Sequence, residues 1–270
     1  MENINLIPKK RTKLRILFGT LYYRSRRRLY WAFGDTEFAV KKESHPYQYT
    51  YFIHSAPLLR RLKDVDMCLQ YNKIVNLKLA TQKINDTILR PGETFSYWKL
   101  IGKPTKRKGY KDGMILFCGG FRAGIGGGLC QLSNLIYWIT LHTPLTIVER
   151  YRHSYDVFPD SNRTQPFGSG ATCVYNYRDL MIRNDTSHPF QLKIWLTGSD
   201  LCGCWRTTSK PVETYQVYEK EHYMKKELFG KYSRHNSIYR KVYDINGKEI
   251  ADEYITENHA LMMYEPLFRR

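Results

Sequence analysis

A mixed α+β fold, with N-terminal helices packed on a mostly antiparallel sheet and a β-rich C-terminal extension, is the architecture this sequence predicts. Apolar residues recur with helical spacing at Leu14, Leu17, Phe18 and Leu21, at Leu69, Ile74, Leu77, Ala80, Ile84 and Ile88, and at Leu132, Leu135, Ile136 and Ile139. From residue 145 onward the period shortens to two, as in "LTIVERY" at 145–151. The run "IYRKVYDINGKEIADEYITEN" sets two alternating segments around Asn246-Gly247, a strong hairpin signal.

The elements follow in order. Residues 1–50 form a basic N-terminal segment, 51–204 the main domain and 205–270 the β-rich extension, with a composition shift near 205. Within the first segment, residues 9–33 carry Lys9, Lys10, Arg11, Lys13, Arg15, Arg24, Arg26, Arg27 and Arg28 around the first apolar stripe. Such a helix either lies on an anionic membrane surface or docks on the body with a solvated basic face. The second stripe predicts one or two helices ending before Pro91. "PGE" reads as a turn into "TFSYWKL", a predicted strand, and "MILFCGG" as a short buried strand. The third stripe is a helix closed by Pro144. Residues 152–170 form a long loop rich in Pro, Gly, Asp and Ser, of a length that draws attention as a functional segment. "ATCVYNYRDLMIRNDTSHPFQLKIWL" reads as two strands joined by "NDTSHP".

The 270 residues suffice for a full core without covalent staples, and 42% hydrophobic with 14% aromatic residues is not a disordered composition. A formal net charge of +18 favours an anionic partner. The six cysteines make no dense disulfide framework, and Cys202-Gly203-Cys204 lacks metal-site spacing, so free thiols and neither metal nor cofactor are expected. No secretory signal is read in the first thirty residues, and no stretch is long and apolar enough to span a bilayer. A cytoplasmic protein is the expectation, with peripheral contact at the inner membrane face through residues 9–33 as one of the two roles open to that helix.

The most reactive position is Cys130, after Gly126, Gly127 and Gly128 and at the predicted start of the third helix. Unpaired N–H groups and the positive dipole end there stabilise a thiolate, so the expectation is a depressed thiol pKa. The amides before Cys130, with that of Gln131, could form an oxyanion or phosphate cradle. His153 is the best-placed base, His142 a poorer one, and Asp156, Asp160 and Asp179 are candidate orienters. Equally, glycine turns before helices serve packing and a buried cysteine acts as a small hydrophobe. Glu93 is read as a turn or strand partner for Arg150 ahead of a second site carboxylate.

"RPGETFSYW" (90–98), Gly109-Tyr110, "GGGLCQLSN" (126–134 region), "LHTPLTIVER" (141–150), "HSYDVFPD" (153–160) and "DLMIRNDT" (179–186) together resemble the VanW family over roughly residues 50–200. The resemblance implies an association with vancomycin resistance and cell-wall biology. It marks as hallmark positions Pro91, Gly92, Glu93, Phe95 and Ser96, then Gly126, Gly127, Gly128, Cys130 and Gln131, then Glu149, Arg150 and His153. Many relatives carry Ser-Thr where this chain has Ser133-Asn134, and often valine where it has Cys173.

Two readings of function stand beside a remote third. The first is cysteine-dependent acyl transfer or hydrolysis on cell-wall precursors, with Cys130, His153 and Asp179 catalytic and the Gly127–Gln131 amides as oxyanion donors. The second is a non-enzymatic module binding an anionic small molecule or lipid-linked cell-wall precursor, with Gly126, Gly127, Gly128, Gln131, Glu93 and Arg150 at the ligand. Nucleic-acid binding comes last, since no recognition motif accompanies the charge.

Overall fold

A computed structural model describes residues 11–59, 66–117, 119–159 and 165–266. In chain order these form α1 (Lys13–Phe33), β1 (Tyr49–Pro57), α2 (Met67–Ile84), β2 (Thr87–Leu89), β3 (Thr94–Ser96) and α3 (Tyr97–Ile101). There follow β4 (Asp112–Phe117), β5 (Gly120–Ile125), α4 (Cys130–Thr140), β6 (Thr146–Glu149), β7 (Tyr155–Asp156) and β8 (Met181–Arg183). β9 (Phe190–Leu196), β10 (Asp200–Thr207), β11 (Glu213–Lys226), β12 (Tyr232–Asp244) and β13 (Glu249–Met262) complete the order. The fold is α+β with a β-rich C-terminus, as expected.

The strands build sheets of order β1-β10-β9-β2, β3-β8-β6 and β11-β12-β13-β7, with β4-β5 as a hairpin. Pairing is antiparallel except between β13 and β7, which run parallel. The core gathers where α2 and α4 meet the first sheet. Leu77, Ala80 and Ile84 of α2, Leu132, Leu135, Ile136 and Ile139 of α4, and Phe190, Leu192, Ile194 and Trp205 of the sheet belong to one buried cluster. The helical periodicity of α4 therefore reports its core face. Trp205 gives the junction a polar lock, its indole N–H donating to Thr140 Oγ1 at 2.9 Å.

Local chemistry moves several boundaries. Asp66 caps α2 by accepting from the Cys68 amide at 2.8 Å. The helix stops at Ile84, and Ile88, read as its last apolar position, belongs to β2. "TFSYWKL" is not one strand: Ser96 Oγ accepts from the Lys99 amide and Asp179 from the Trp98 amide, so the chain turns into α3 after three strand residues. β1 has no counterpart in the sequence reading; it is held by β10, with His54 opposite Gly203. β10 continues to Thr207, past the composition shift near 205. The Asn246-Gly247 hairpin forms between β12 and β13, with Asp244 accepting from the Asn246 and Lys248 amides.

Cys68, Cys130, Cys173, Cys202 and Cys204 are free thiols, while Cys118 lies outside the described residues. Among the described residues no helix is long and apolar enough to cross a membrane. Ile136 is fully buried at the centre of the core. Ile136→Ala should cost about 2–5 kcal/mol of unfolding free energy in urea titrations, through lost burial and a residual cavity.

Candidate functional site

The glycine turn before α4 is shaped by a backbone contact. A Cβ on Gly127 would stand 2.1 Å from the Gly113 carbonyl oxygen, and one on Gly113 would stand 2.4 Å from the Gly127 carbonyl oxygen. Only hydrogen fits on either side. Gly126 and Gly128, with φ of 75° and 90°, turn the chain into and out of that contact. Asn76, fully buried on α2, fastens it: its side-chain N–H group donates to the Gly127 carbonyl at 2.9 Å and the Lys111 carbonyl at 3.0 Å, and its Oδ1 accepts from the Lys111 amide at 2.8 Å.

Of the amides expected to form an anion cradle here, those of the three glycines and Gln131 are already in use. Gly126 N donates to Lys111 O, Gly127 N to Gly124 O, Gly128 N to Met114 O and Gln131 N to Gly128 O, all at 3.0 Å. None of the four points an open N–H at a ligand. The Gln131 side chain donates to the Pro57 carbonyl at 2.9 Å, tying α4 to the end of β1. The glycines serve packing.

Cys130 is the first residue of α4, where the spacing placed it, and it is half-buried. Its thiol donates to the Cys173 carbonyl at 3.8 Å. Burial pushes this thiol's pKa up, outweighing an opposing backbone hydrogen-bond effect from Cys173. The expected depression is reversed, because desolvation of a thiolate exceeds what the helix start supplies. Among the described residues no hydrogen bond joins Cys130 to His153. The link between their neighbourhoods runs through residues 171–173: Ser133 Oγ donates to Ala171 O at 2.7 Å, Asn134 Oδ1 accepts from Ala171 N at 2.8 Å, and Thr172 N donates to Tyr151 O at 2.8 Å.

Asp179 is fully buried and orients a helix start, not an imidazole. Its carboxylate accepts from Ser96 Oγ at 2.6 Å, the Trp98 amide at 2.9 Å and the Leu180 amide at 2.9 Å. Glu149 stands behind it, accepting from the Asp179 amide at 3.1 Å and pairing with Arg27 of α1 at 2.5 Å. Burial pushes Asp179 up to about 7, against the pull of its Ser96 and Trp98 hydrogen bonds. Asp156, the second candidate orienter, lies 3.5 Å from Arg234 and accepts from the Tyr264 hydroxyl at 2.7 Å. Asp160 lies outside the described residues. His142 stacks on Phe52 with centroids 3.7 Å apart and bonds to the Trp138 carbonyl at 2.9 Å, remote in role from Cys130.

Two further residues are committed to structure. Glu93 is buried and accepts from the Arg90 amide at 2.8 Å, closing the Pro-Gly turn; it does not pair with Arg150. Arg150 lies over the Tyr137 ring at 5.0 Å and donates to the carbonyls of Gly168 and Gly170 (2.9 Å for the latter) and to Asn258 Oδ1 and Thr256 Oγ1 of β13 at 3.2 and 3.3 Å. It staples the long loop to the C-terminal sheet.

What gathers around His153 is positive charge. Burial, then Arg178 and Arg150, push its imidazole down to about 4, so it is neutral at pH 7. Arg178 lies over the Tyr151 ring at 5.6 Å. Arg152, the residue before His153, is turned toward Glu257 and His235 of the C-terminal region; its buried Nη1 lacks a hydrogen-bond partner, and burial, then Arg150, lower its pKa against the pull of Glu257. Among the described residues neither Arg152 nor Arg178 makes an ion pair. Sequence reasoning passed over both, although each adjoins a flagged residue, His153 and Asp179. Arg178 and Arg150 beside a neutral imidazole can hold an anion.

Residues 72–206 match a family model described as VanW like protein. A similar curated relative is the vancomycin B-type resistance protein VanW of Enterococcus faecalis, 40% identical over 152 residues, which make up 56% of this chain and 55% of the relative. Another is the uncharacterized protein YoaR of Bacillus subtilis, 31% identical over 118 residues, 44% of this chain and 37% of that protein. The chain thus spans about half or less of the length of these relatives. No solved structure matches.

The raised pKa of Asp179 carries a pH signature. Unfolded, the group ionises near its ordinary 3.8; folded, it holds its proton to about 7. Its contribution to stability is full below the first value and lost as pH rises through the second. Unfolding free energy should therefore decline between about pH 4 and pH 7, and Asp179→Asn should flatten that decline by up to roughly 4 kcal/mol in pH-dependent urea unfolding.

Proposed function

Since the chain belongs to the VanW family, we propose that it serves vancomycin resistance as a non-enzymatic binding module for an anionic cell-wall intermediate. The observation that carries this reading is the Arg178 guanidinium, without an ion pair among the described residues, acting with Arg150 on a neutral His153. A carboxylate or a pyrophosphate linkage is the ligand group that such a fork would take, through charge-assisted hydrogen bonds. The net charge of +18 adds a field that draws anions toward the surface. On this reading Cys130 is a packing residue and the glycine turn a scaffold. A place on the cytoplasmic side, where lipid-linked precursors are assembled on the inner leaflet, belongs to the same proposal.

Cysteine-dependent acyl transfer on cell-wall precursors is the second reading. In its favour, Cys130 opens α4 inside the family-matched region and keeps part of its surface open. Against it stand the raised thiol pKa and the absence of a hydrogen bond from His153 among the described contacts. Nucleic-acid binding draws no support beyond the charge.

Titration with pyrophosphate as probe separates the readings. Arg178→Ala should weaken binding roughly ten-fold or more, the scale of a lost charged hydrogen bond. Ligand addition should raise the His153 imidazole pKa from about 4, followed by NMR, as the anion offsets the neighbouring cations. Cys130→Ser should leave affinity and the resistance phenotype intact, and Cys130 should react with iodoacetamide near pH 7 no faster than a model thiol. Fast alkylation with loss of the phenotype in Cys130→Ser would favour the enzyme.

A further inference from the structure

The first helix presents its two faces in the reverse of the usual order. The side of α1 that meets the body combines Trp31, packed against the core, and the Tyr23–Tyr177 and Tyr30–Phe38 ring contacts with polar groups: Arg24 donates to the Tyr175 carbonyl at 2.9 Å, Arg27 pairs with Glu149 at 2.5 Å, and Lys99 donates to the Trp31 carbonyl at 2.9 Å. At 3.6 residues per turn, Leu14, Phe18, Leu21, Tyr22, Leu29 and Phe33 fall on the opposite side. They are exposed there, Leu14 by 66%, Phe18 by 65%, Leu29 by 59% and Phe33 by 82%. No residue of the helix is buried. An amphipathic helix that docks on its own protein normally turns its leucines inward; this one turns them to solvent.

We infer that this outward face is a membrane-docking surface whose occupant is an anionic phospholipid bilayer. Charge complementarity selects that occupant. Arg26 and Arg28 border the apolar side, Arg15 lies along it, and the helix contains no Asp or Glu. Aliphatic and aromatic side chains flanked by cations suit the acyl boundary beneath negative headgroups. Packing two copies face to face would instead bring two sets of arginines together without counter-ions, a like-charge arrangement that opposes a dimer. The helix is not apolar enough to cross a bilayer, so it lies along the surface. Its grip on the body through Arg24 and Arg27 then fixes the orientation of the whole protein against the lipid.

Co-sedimentation of the full chain with vesicles tests this. The protein should pellet with phosphatidylglycerol–phosphatidylcholine vesicles and stay in solution with phosphatidylcholine alone. The double variant Phe18→Ser with Leu21→Ser, and separately Arg26→Gln with Arg28→Gln, should each reduce partitioning roughly ten-fold, with circular dichroism unchanged because all four side chains lie on the outer face. A wild-type protein that ignores anionic vesicles, or serine variants that partition like wild type, would overturn the inference. Self-association that the serine substitutions abolish, without vesicle binding, would assign the face to a second copy and overturn it too.

Discussion

Backbone lies on backbone where Gly113 meets Gly127, and the rest of the site is arranged around that contact. A single methyl group on either residue would collide with the opposite carbonyl. The approach brings the β4–β5 hairpin against the start of α4 and leaves one carbonyl, that of Gly127, facing α2. Asn76 meets it, and the same amide group holds both backbone atoms of Lys111. Buried backbone polar groups must find partners, and here one side chain satisfies three of them. With the turn pinned this way, α4 has one direction in which to leave, and its apolar side falls on the sheet.

A second constraint runs through charge. Asp179, Glu149 and Arg27 form a line from the buried start of α3 to the outer helix α1. Removing one member of such a line leaves a desolvated neighbour without its partner, so the three are coupled energetically. This is why a residue that looked like a catalytic orienter in the sequence acts as a joint between elements. The same economy explains Arg150, whose donors end on loop carbonyls and on β13.

Much of the fold was legible because periodicity is set by burial. Leu132, Leu135, Ile136 and Ile139 had to share a face, and Asn246-Gly247 had to turn. β1 was not legible, since its nine residues alternate only partly and its strand character comes from β10 beside it. Nor was the break at Ser96, which depends on a carboxylate 83 residues away. The site was legible as a set of positions and not as chemistry. Cys130 does begin its helix, yet thiol acidity depends on how much water the surrounding fold admits, and no local spacing encodes that. Arg178 stood in plain view, but a lone arginine in a basic sequence carries no signal until its counter-ion is looked for in space.

β7 is two residues long and comes from near the start of the long loop, yet it sits at the edge of a sheet whose other three strands are β11, β12 and β13. Arg234 reaches back to Asp156, and Asn236 and Asn258 reach Phe167 and Gly168. The last seventy residues are therefore stitched to the connection that carries His153. A hybrid that exchanges this region between relatives must bring the matching stitches with it, or the exchanged sheet will arrive with nothing to hold.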